Sequence, residues 1–249
     1  MGELAVTAVR ESLMDDAVAS VGSRAAVRGR FISFEGGEGT GKSTQAKSLK
    51  RKLEKLDLDV VLTREPGGSP AAELIRRLLL LGTADPFGPD CETALFYAAR
   101  ADHLDTLIRP ALDRGAWVVT DRFSDSTRAY QAAGDTITLP FIERLDRAIV
   151  GRDAPDLTLI LDLDPEIGLA RARAQTSAAG EGDAFEDREL AYHKSVRDAF
   201  LDIAADHPDR CVVIDASRSK RSVQTAIWKA VNAKFGDHLA TQAEAQEPA

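Results

Sequence analysis

The sequence predicts an α/β fold in which helices cover both faces of a five-stranded parallel sheet. Five short β-rich runs alternate with longer segments of helical periodicity, and this alternation requires crossover connections between parallel strands. A glycine-rich segment, FEGGEGTGKST, joins the first run to the first helical segment. The chain has 249 residues, 44% of them hydrophobic, which is enough to bury a sizeable core.

The predicted elements follow one another in a regular order. The predicted strands are Phe31–Glu35, Val60–Thr63, Trp117–Asp121, Leu157–Asp162 and Cys211–Asp215. Helical periodicity is clearest over Ala46–Leu56 and Leu74–Leu79, and further helices are expected over Glu92–Arg114, Pro165–Gln175, Arg188–Ala205 and Val223–Phe235. We expect one domain over residues 30–236, with a flexible extension at 1–29 and a flexible polar tail at 237–249.

The composition argues against several classes of function. A net charge of −8 disfavours binding to a nucleic-acid backbone, although a few convergent cations can still form a positive pocket for a small anion. No apolar run approaches the roughly 18 residues that span a bilayer, and the first residues resemble neither a secretory signal nor a transit peptide. Cys91 and Cys211 lack the spacing of metal ligands and are interpreted as free thiols in a reducing compartment. We therefore expect a cytoplasmic protein with no nucleic-acid or membrane partner.

The most specific motif is GxxxxGK[ST], which is formed by Gly36, Gly41, Lys42 and Ser43. It lies between a predicted strand and a predicted helix, the context of the phosphate loop in the P-loop NTPase fold. Lys42 would contact the β- and γ-phosphates of ATP, and the Ser43 hydroxyl would ligate Mg²⁺. The expected ATP-binding residues of the loop are Gly36, Gly37, Glu38, Gly39, Thr40, Gly41, Lys42, Ser43 and Thr44. The motif leaves the reaction open, because ATPases and GTPases share it.

Two arginines that follow predicted strands indicate a second phosphate. Arg64 comes after Val60–Thr63, and Arg122 comes after Trp117–Asp121. The carboxyl ends of parallel strands share one edge of a sheet, so both guanidinium groups are expected near Lys42. Guanidinium groups bind phosphate bidentately, which favours a phosphate acceptor facing ATP. Either arginine alone is equally consistent with a surface ion pair.

From about Arg30 to Phe235 the chain resembles the bacterial thymidylate kinases, a branch of the P-loop nucleoside monophosphate kinases. Five segments carry the resemblance, in this order: FEGGEGTGKST, TREPGG, LFYAARADH, DRFSDSTRAYQ and PDLTLILDLDPEIGLARAR. The TREPGG and AYQ runs are characteristic of this branch. The resemblance implies transfer of a phosphoryl group from ATP with Mg²⁺ to dTMP, giving dTDP for dTTP biosynthesis, and a homodimer.

The resemblance also implies roles for individual residues. Phe96 would stack on the thymine ring, and Arg100, one helical turn further, would hydrogen-bond the base. Tyr130 would exclude a ribose 2′-hydroxyl, and Glu38 would contact the 3′-hydroxyl of the acceptor. Glu65–Pro66 is expected to be a cis peptide. The expected dTMP-binding residues are Glu38, Arg64, Phe96, Arg100, Arg122, Ser126, Thr127, Tyr130 and Gln131. Without the resemblance, Phe96 and Tyr130 would be interpreted as packed aromatic residues.

Catalysis is expected to depend on positioning and charge neutralisation, because the acceptor is already a phosphate oxygen. The expected catalytic residues are Glu38, Lys42, Arg122 and Arg173. Asp121 either positions Mg²⁺ through water or caps the turn that follows it. Residues 175–187 have loop composition and are a candidate lid, with an ordinary surface loop as the alternative.

The candidate lid departs from the family pattern. Many thymidylate kinases carry a lid arginine in a run resembling D-R-F-E, and this chain has Ala184 at that position. Others carry an arginine in the phosphate loop, and this chain has Thr40 there. We expect Arg173 to supply the missing charge, with Arg171 or Arg188 as alternatives. Arg171 and Arg173 also match the family's RAR stretch, in which one arginine packs near adenine.

Rival functions are a kinase for another monophosphate such as dUMP, GMP or AMP, a nucleotide-dependent switch, and an impaired relative that serves as a scaffold. The sequence contains no guanine-reading NKxD run, which disfavours a GTPase switch. An impaired relative is disfavoured by the intact set Lys42, Ser43, Arg64 and Arg122.

Overall fold

A computed structural model describes residues 28–81, 88–133, 139–179 and 189–244. Within these ranges five strands form one sheet: β1 (Phe31–Glu35), β2 (Val60–Arg64), β3 (Trp117–Asp121), β4 (Leu157–Asp162) and β5 (Cys211–Asp215). Their spatial order is β2-β3-β1-β4-β5, and all neighbouring pairs are parallel. The predicted fold class is confirmed, and β2 extends one residue beyond its predicted end.

Helices pack on both faces of the sheet. The described helices are α1 (Lys42–Glu54), α2 (Pro70–Leu80), α3 (Pro89–His103), α4 (Arg109–Asp113), α5 (Ser124–Ala132), α6 (Leu139–Ile149), α7 (Pro165–Ala179), α8 (Leu190–Asp206) and α9 (Lys220–Glu244). A π-helical turn, Leu104–Ile108, joins α3 to α4, and a 3₁₀ turn, Gly151–Asp153, follows α6. None of the helices in the described ranges combines the length and the apolar composition that crossing a membrane requires.

The core is divided by the sheet into two apolar layers. On one side Ile32 packs with Leu53 of α1 and Ile227 of α9. On the other side Phe31 packs with Leu104 and with the other apolar residues around α4. Phe31 and Ile32 are neighbours in β1, and successive side chains of a strand point to opposite faces. Because both faces are buried, the strands are almost continuously apolar.

One edge of the sheet collects the turns that carry the candidate functional residues. The strand register pairs Asp121 with Phe34 of β1 and with Arg64 of β2, so the carboxyl ends of β1, β2 and β3 lie together. The turn after β1 is the phosphate loop, which leads directly into α1. The predicted placement of Arg64 and Arg122 at the same edge is thereby confirmed.

Several helices differ from the sequence prediction. Hydrophobic periodicity does not predict α5, because its buried side includes polar residues such as Asp125. The predicted helix Glu92–Arg114 is interrupted by the π-helical turn, since Pro110 lacks the N–H that would continue the α-helical ladder. Helix α9 continues to Glu244, so part of the predicted C-terminal tail is helical.

The candidate lid is described only in part. Helix α7 continues to Ala179, so the segment that was expected to be a loop from Gln175 begins inside a helix. The rest of the candidate lid, which includes Ala184, lies outside the described residues, as do Arg188 and most of the N-terminal extension.

Candidate active site

A cavity of about 350 Å³ opens at the carboxyl edge of the sheet. It is bounded by the phosphate loop, the turns after β2 and β3, and helices α2, α3 and α5. Every residue expected to bind dTMP lines it, as do Lys42, Ser43 and Asp121. Six further lining residues were not among the site residues predicted from the sequence, namely Glu65, Pro66, Arg76, Leu80, Phe123 and Ala172. The sequence-predicted acceptor residues are therefore brought together in one place.

The phosphate loop is fixed by close backbone packing. Gly36 has a φ of +128°, and a Cβ there would lie 2.4 Å from the carbonyl oxygen of Leu161 in β4. Gly39 has a φ of +63°, and its Cβ would lie 2.0 Å from the carbonyl oxygen of Gly168 in α7. Both positions therefore require glycine, and the loop is held against β4 and α7.

Lys42 lies buried under the phosphate loop. Its Nζ donates hydrogen bonds to the carbonyl oxygens of Gly36 (3.1 Å) and Gly37 (2.6 Å). Burial and the positive charge of Arg122 lower the pKa of Lys42 to about 8, although nearby carboxylates such as Glu38 oppose the shift. A phosphate group in the loop would raise that pKa and keep the ammonium group charged.

Arg122 joins the phosphate loop to the acceptor cavity. Its Nη1 donates to the carbonyl oxygen of Gly36 and to Ser126 Oγ, both at 3.1 Å. Its Nη2 donates to Glu38 Oε1 at 2.6 Å and to the Tyr130 hydroxyl at 2.9 Å. The backbone of Arg122 is left-handed, with a φ of +70°. These contacts hold its charge at one position between the two halves of the site.

Glu38 carries a negative charge beside the two cations of the site, Lys42 and Arg122. Burial by itself would raise its pKa, but Arg122, Lys42 and a hydrogen bond from the Tyr130 hydroxyl together lower that pKa to about 2. Burial would likewise lower the pKa of Arg122, but Glu38 and other anionic neighbours raise it above its ordinary value. An ionised carboxylate only accepts hydrogen bonds, so Glu38 suits a hydroxyl donor such as that of a sugar.

Ser43 and Asp121 form a pair of oxygen donors beside the phosphate loop. The Ser43 hydroxyl donates a hydrogen bond to Asp121 Oδ2, so the two side chains are adjacent. Mg²⁺ is usually held by one or two protein oxygens together with substrate phosphates and water. In the described part of the chain, no group of three or more His, Cys, Asp or Glu side chains could hold a metal. The Ser43–Asp121 pair therefore fits a magnesium ion that arrives with a nucleotide.

Arg100 marks the opposite end of the cavity. Its Nε donates to Glu65 Oε2 (2.8 Å), and its Nη2 donates to Thr127 Oγ1 (2.9 Å). Its buried Nη1 has no hydrogen-bond partner among the described residues. The guanidinium group lies 4.8 Å from the ring centroid of Tyr97 and 5.1 Å from that of Phe123. Because arginine only donates hydrogen bonds, this part of the cavity favours a ligand group that accepts one, such as a carbonyl oxygen.

Phe96 and Gln131 also line the cavity. Phe96 is half-buried on α3, one turn before Arg100, so both side chains lie on one helix face. Gln131 Nε2 donates to the buried Glu92 Oε1 at 2.6 Å. This contact holds the Gln131 amide in place on α5.

The arginines near β2 occupy different environments. The Arg64 side chain is 53% exposed, and its Nη2 donates to both carboxylate oxygens of Glu73, at 3.0 and 3.2 Å. Arg76 on α2 is half-buried and donates through Nη1 to the carbonyl oxygen of Pro66 at 2.7 Å. The predicted cis peptide at Glu65–Pro66 is confirmed. The better-buried guanidinium group on this side of the cavity is therefore that of Arg76.

Glu35 supports the turn that carries Arg122. It is fully buried; its Oε1 accepts a hydrogen bond from the Phe123 N–H (2.7 Å), and its Oε2 accepts one from Ser126 Oγ (2.5 Å). Burial and the nearby Asp125 carboxylate raise the pKa of Glu35 to about 8. In the sequence Glu35 is only the last residue of a predicted strand. Its role becomes visible only in its contacts with residues far along the chain.

The two arginines expected near adenine lie on α7. Arg171 Nη1 donates to the carbonyl oxygen of Ala216, in the loop between β5 and α9, at 3.5 Å. Arg173 is exposed on the same helix. Neither residue lines the cavity around Lys42.

Comparisons with known proteins agree with this arrangement. A sequence model of the family described as thymidylate kinase matches residues 34–227. The thymidylate kinase of Bradyrhizobium sp. (strain ORS 278) is 50% identical over 208 residues, which cover 84% of this chain and 92% of that protein. The thymidylate kinase of Caulobacter vibrioides is 51% identical over 209 residues, covering 84% and 99%. A crystal structure of thymidylate kinase from Ehrlichia chaffeensis has a TM-score of 0.65 at 33% identity and covers 82% of this chain and 99% of that chain. The chain belongs to the thymidylate kinase family.

Proposed function

We propose that this protein transfers the γ-phosphoryl group of ATP to dTMP, producing ADP and dTDP. The observation that carries the proposal is the position of Arg122, which hydrogen-bonds both the phosphate loop and the wall of the acceptor cavity. One fixed cation can therefore contact the phosphates of both substrates. Membership of the thymidylate kinase family supports the same reaction.

The acceptor cavity suits a deoxynucleoside monophosphate. Arg122 binds the dTMP phosphate, and the half-buried Arg76 joins it in place of Arg64, the partner expected from the sequence, because Arg64 is exposed and paired with Glu73. Glu38 accepts a hydrogen bond from the 3′-hydroxyl. At the far end Phe96 stacks on the thymine ring, and Arg100 Nη1 donates to a thymine carbonyl. The Tyr130 hydroxyl, which donates to Glu38 Oε1 at 2.6 Å, occupies the space beside the sugar and disfavours a 2′-hydroxyl.

The reaction is an in-line displacement in which a dTMP phosphate oxygen bonds to the γ-phosphorus and the bond to the β–γ bridging oxygen breaks. No general base is needed, because the attacking oxygen is already ionised. Lys42 and Arg122 neutralise the charge of the transferring group, and the loop N–H groups orient the phosphates. Ser43 and Asp121 would hold a Mg²⁺ ion that arrives with the nucleotide, and that ion would supply further charge neutralisation. Arg173 on α7 contributes the remaining positive charge.

A homodimer is supported by an apolar stripe on α2. Leu74 and Leu78 on α2 and Leu81, which directly follows the helix, recur at helical spacing, with exposed fractions of 63%, 45% and 77%. Three large exposed leucines on one helix face are typical of a surface that is covered by a partner. A second copy of the chain is the partner we propose. Light scattering at micromolar concentration should give the dimer mass for the native chain and a lower mass for Leu78→Glu; a monomer mass for the native chain would contradict the proposal.

The proposed reaction is tested by an ADP-release assay with ATP, Mg²⁺ and a panel of monophosphates. We expect kcat/KM for dTMP to exceed that for dUMP by about 10–200-fold, because one methyl group in a fitted pocket contributes roughly 1–3 kcal/mol. AMP and GMP should be poorer still. Equal turnover of dTMP, AMP and GMP would contradict the dTMP assignment but not the kinase assignment. ADP release at the same rate with and without a monophosphate acceptor would favour a nucleotide-hydrolysing switch.

A further inference from the structure

A buried series of polar side chains lies behind the base end of the acceptor cavity. Thr63 Oγ1 is 2.7 Å from His103 Nε2, and His103 Nδ1 is 3.0 Å from Glu65 Oε1. The other oxygen of the same carboxylate, Glu65 Oε2, accepts the hydrogen bond from Arg100 Nε at 2.8 Å. The series therefore connects β2 to the arginine that faces the base, through residues of α3 and the turn after β2.

These groups are almost fully buried. The exposed fractions are 0% for His103, 6% for Glu65 and 2% for Arg100. Burial of a carboxylate is costly unless its oxygens are hydrogen-bonded, and here one oxygen is held by His103 and the other by Arg100. Loss of the imidazole would leave Glu65 Oε1 without this donor, and the carboxylate would rotate towards another partner.

The imidazole ring is also held sterically. Gly68 has a φ of +86°, and a Cβ there would lie 2.5 Å from His103 Nε2 and 2.3 Å from Thr63 Oγ1. The turn after β2 therefore packs directly on the Thr63–His103 pair, and no side chain fits between them. With a proton on Nδ1, the ring donates to Glu65 and accepts from the Thr63 hydroxyl, which satisfies both ring nitrogens.

We propose that His103 is a positioning residue for acceptor recognition, which acts through Glu65 to fix the orientation of the Arg100 guanidinium group. The proposal rests on the proposed role of Arg100 in binding the base of dTMP. A fixed Glu65 carboxylate holds Arg100 Nε, Thr127 holds Nη2, and Nη1 is then directed by the planar geometry of the group. His103 does not line the cavity and so does not contact the acceptor itself.

The test compares His103→Gln with His103→Asn. The shorter Asn amide lies near the position of Nδ1 and can still donate to Glu65, whereas the Gln amide lies nearer the position of Nε2. We expect His103→Gln to raise KM for dTMP about tenfold and to lower the ratio of kcat/KM for dTMP over dCMP by a similar factor, because a charged hydrogen bond is lost. KM for ATP should stay within about twofold, and His103→Asn should restore most of the dTMP affinity. His207→Gln is the matched control and should leave KM for both substrates unchanged.

Three further measurements separate the possible outcomes. Arg100→Met should raise KM for dTMP; if it does not, the proposed role of Arg100 fails. If Arg100→Met raises this KM but His103→Gln leaves it unchanged, the inference about His103 is wrong. In the Arg100→Met background, His103→Gln should change KM for dTMP by less than about twofold, since coupled residues are not additive. His103→Gln could instead raise KM for ATP and for dTMP equally, or lower the melting temperature without changing the ratio of kcat/KM for dTMP over dCMP. Either result would show a structural role and overturn the proposal.

A milder variant keeps the proposal testable if both His103 variants fail to fold. Thr63→Val is nearly isosteric and removes only the hydroxyl beside Nε2. It should raise KM for dTMP about threefold and leave KM for ATP unchanged. An unchanged KM for dTMP would contradict the positioning role.

Discussion

Replacing Arg76 by alanine should weaken acceptor binding far more than replacing Arg64. Arg76 is half-buried in the cavity wall, with Nη1 fixed 2.7 Å from the carbonyl oxygen of Pro66. A hydrogen bond to a charged group contributes roughly 1.5–3 kcal/mol, so Arg76→Ala should lower kcat/KM for dTMP by about 10–150-fold. Arg64 is 53% exposed and paired with Glu73, and exposed pairs contribute about 0–1 kcal/mol. Arg64→Ala should therefore lower kcat/KM for dTMP by no more than about fivefold.

The assay is steady-state ADP release, with dTMP varied at saturating ATP and then ATP varied at saturating dTMP. Arg76→Ala should act mainly on the dTMP parameters and leave KM for ATP nearly unchanged. Arg77→Ala removes the neighbouring exposed arginine of α2 and is the matched control, with an expected effect below about twofold. A larger effect for Arg64→Ala than for Arg76→Ala would refute the assignment of the acceptor phosphate to Arg76.

Three further predictions concern Glu35, Asp121 and the arginines near the candidate lid. The folded-state pKa of Glu35 is about 8, against an ordinary value of 4.5, so this group favours folding below pH 4.5 and loses that contribution as the pH rises through 8. Glu35→Gln resembles the protonated carboxyl, so urea denaturation between pH 5 and 8 should show a flatter pH dependence for the variant, by up to about 1.4 kcal/mol per pH unit; equal slopes would argue against the raised pKa. Asp121→Asn should raise the Mg²⁺ concentration for half-maximal activity about tenfold, and an unchanged Mg²⁺ dependence would remove Asp121 from the metal site. Among the three variants Arg171→Ala, Arg173→Ala and Arg188→Ala, at least one, with Arg173 preferred, should lower kcat by about 10²-fold or more; near-native kcat in all three would mean that no arginine near the lid supplies the charge.

The parts of the protein that the sequence predicts well are those with local signals. The phosphate loop is one continuous segment between a strand and a helix, and the spacing of its glycines, lysine and serine is enough to identify it. The five strands are short apolar runs, and they are found at the predicted places. Because the strands are parallel, the convergence of Arg64 and Arg122 at one edge also follows from the sequence alone.

The residues that the sequence does not reveal depend on contacts between distant segments. Arg76 belongs to a helix whose pattern shows only an apolar face, and its approach to Pro66 depends on how that helix packs. Glu35 resembles the end of a strand, yet its carboxylate holds a turn 88 residues further along the chain. His103 is one of several polar residues on α3, and only the fold brings it to Glu65 and Thr63. No local pattern encodes these pairings.

The proposed reaction transfers a phosphoryl group between two nucleotides, whereas a nucleotide-dependent switch would only hydrolyse ATP. The most direct test is to incubate the protein with ATP, Mg²⁺ and dTMP and to quantify ADP and dTDP together by chromatography, with Lys42→Met as the inactive control. Lys42 lies buried under the phosphate loop, so its loss should abolish the formation of both products. We predict equal molar amounts of ADP and dTDP from the native chain, whereas ADP without dTDP would contradict the proposed phosphoryl transfer to dTMP.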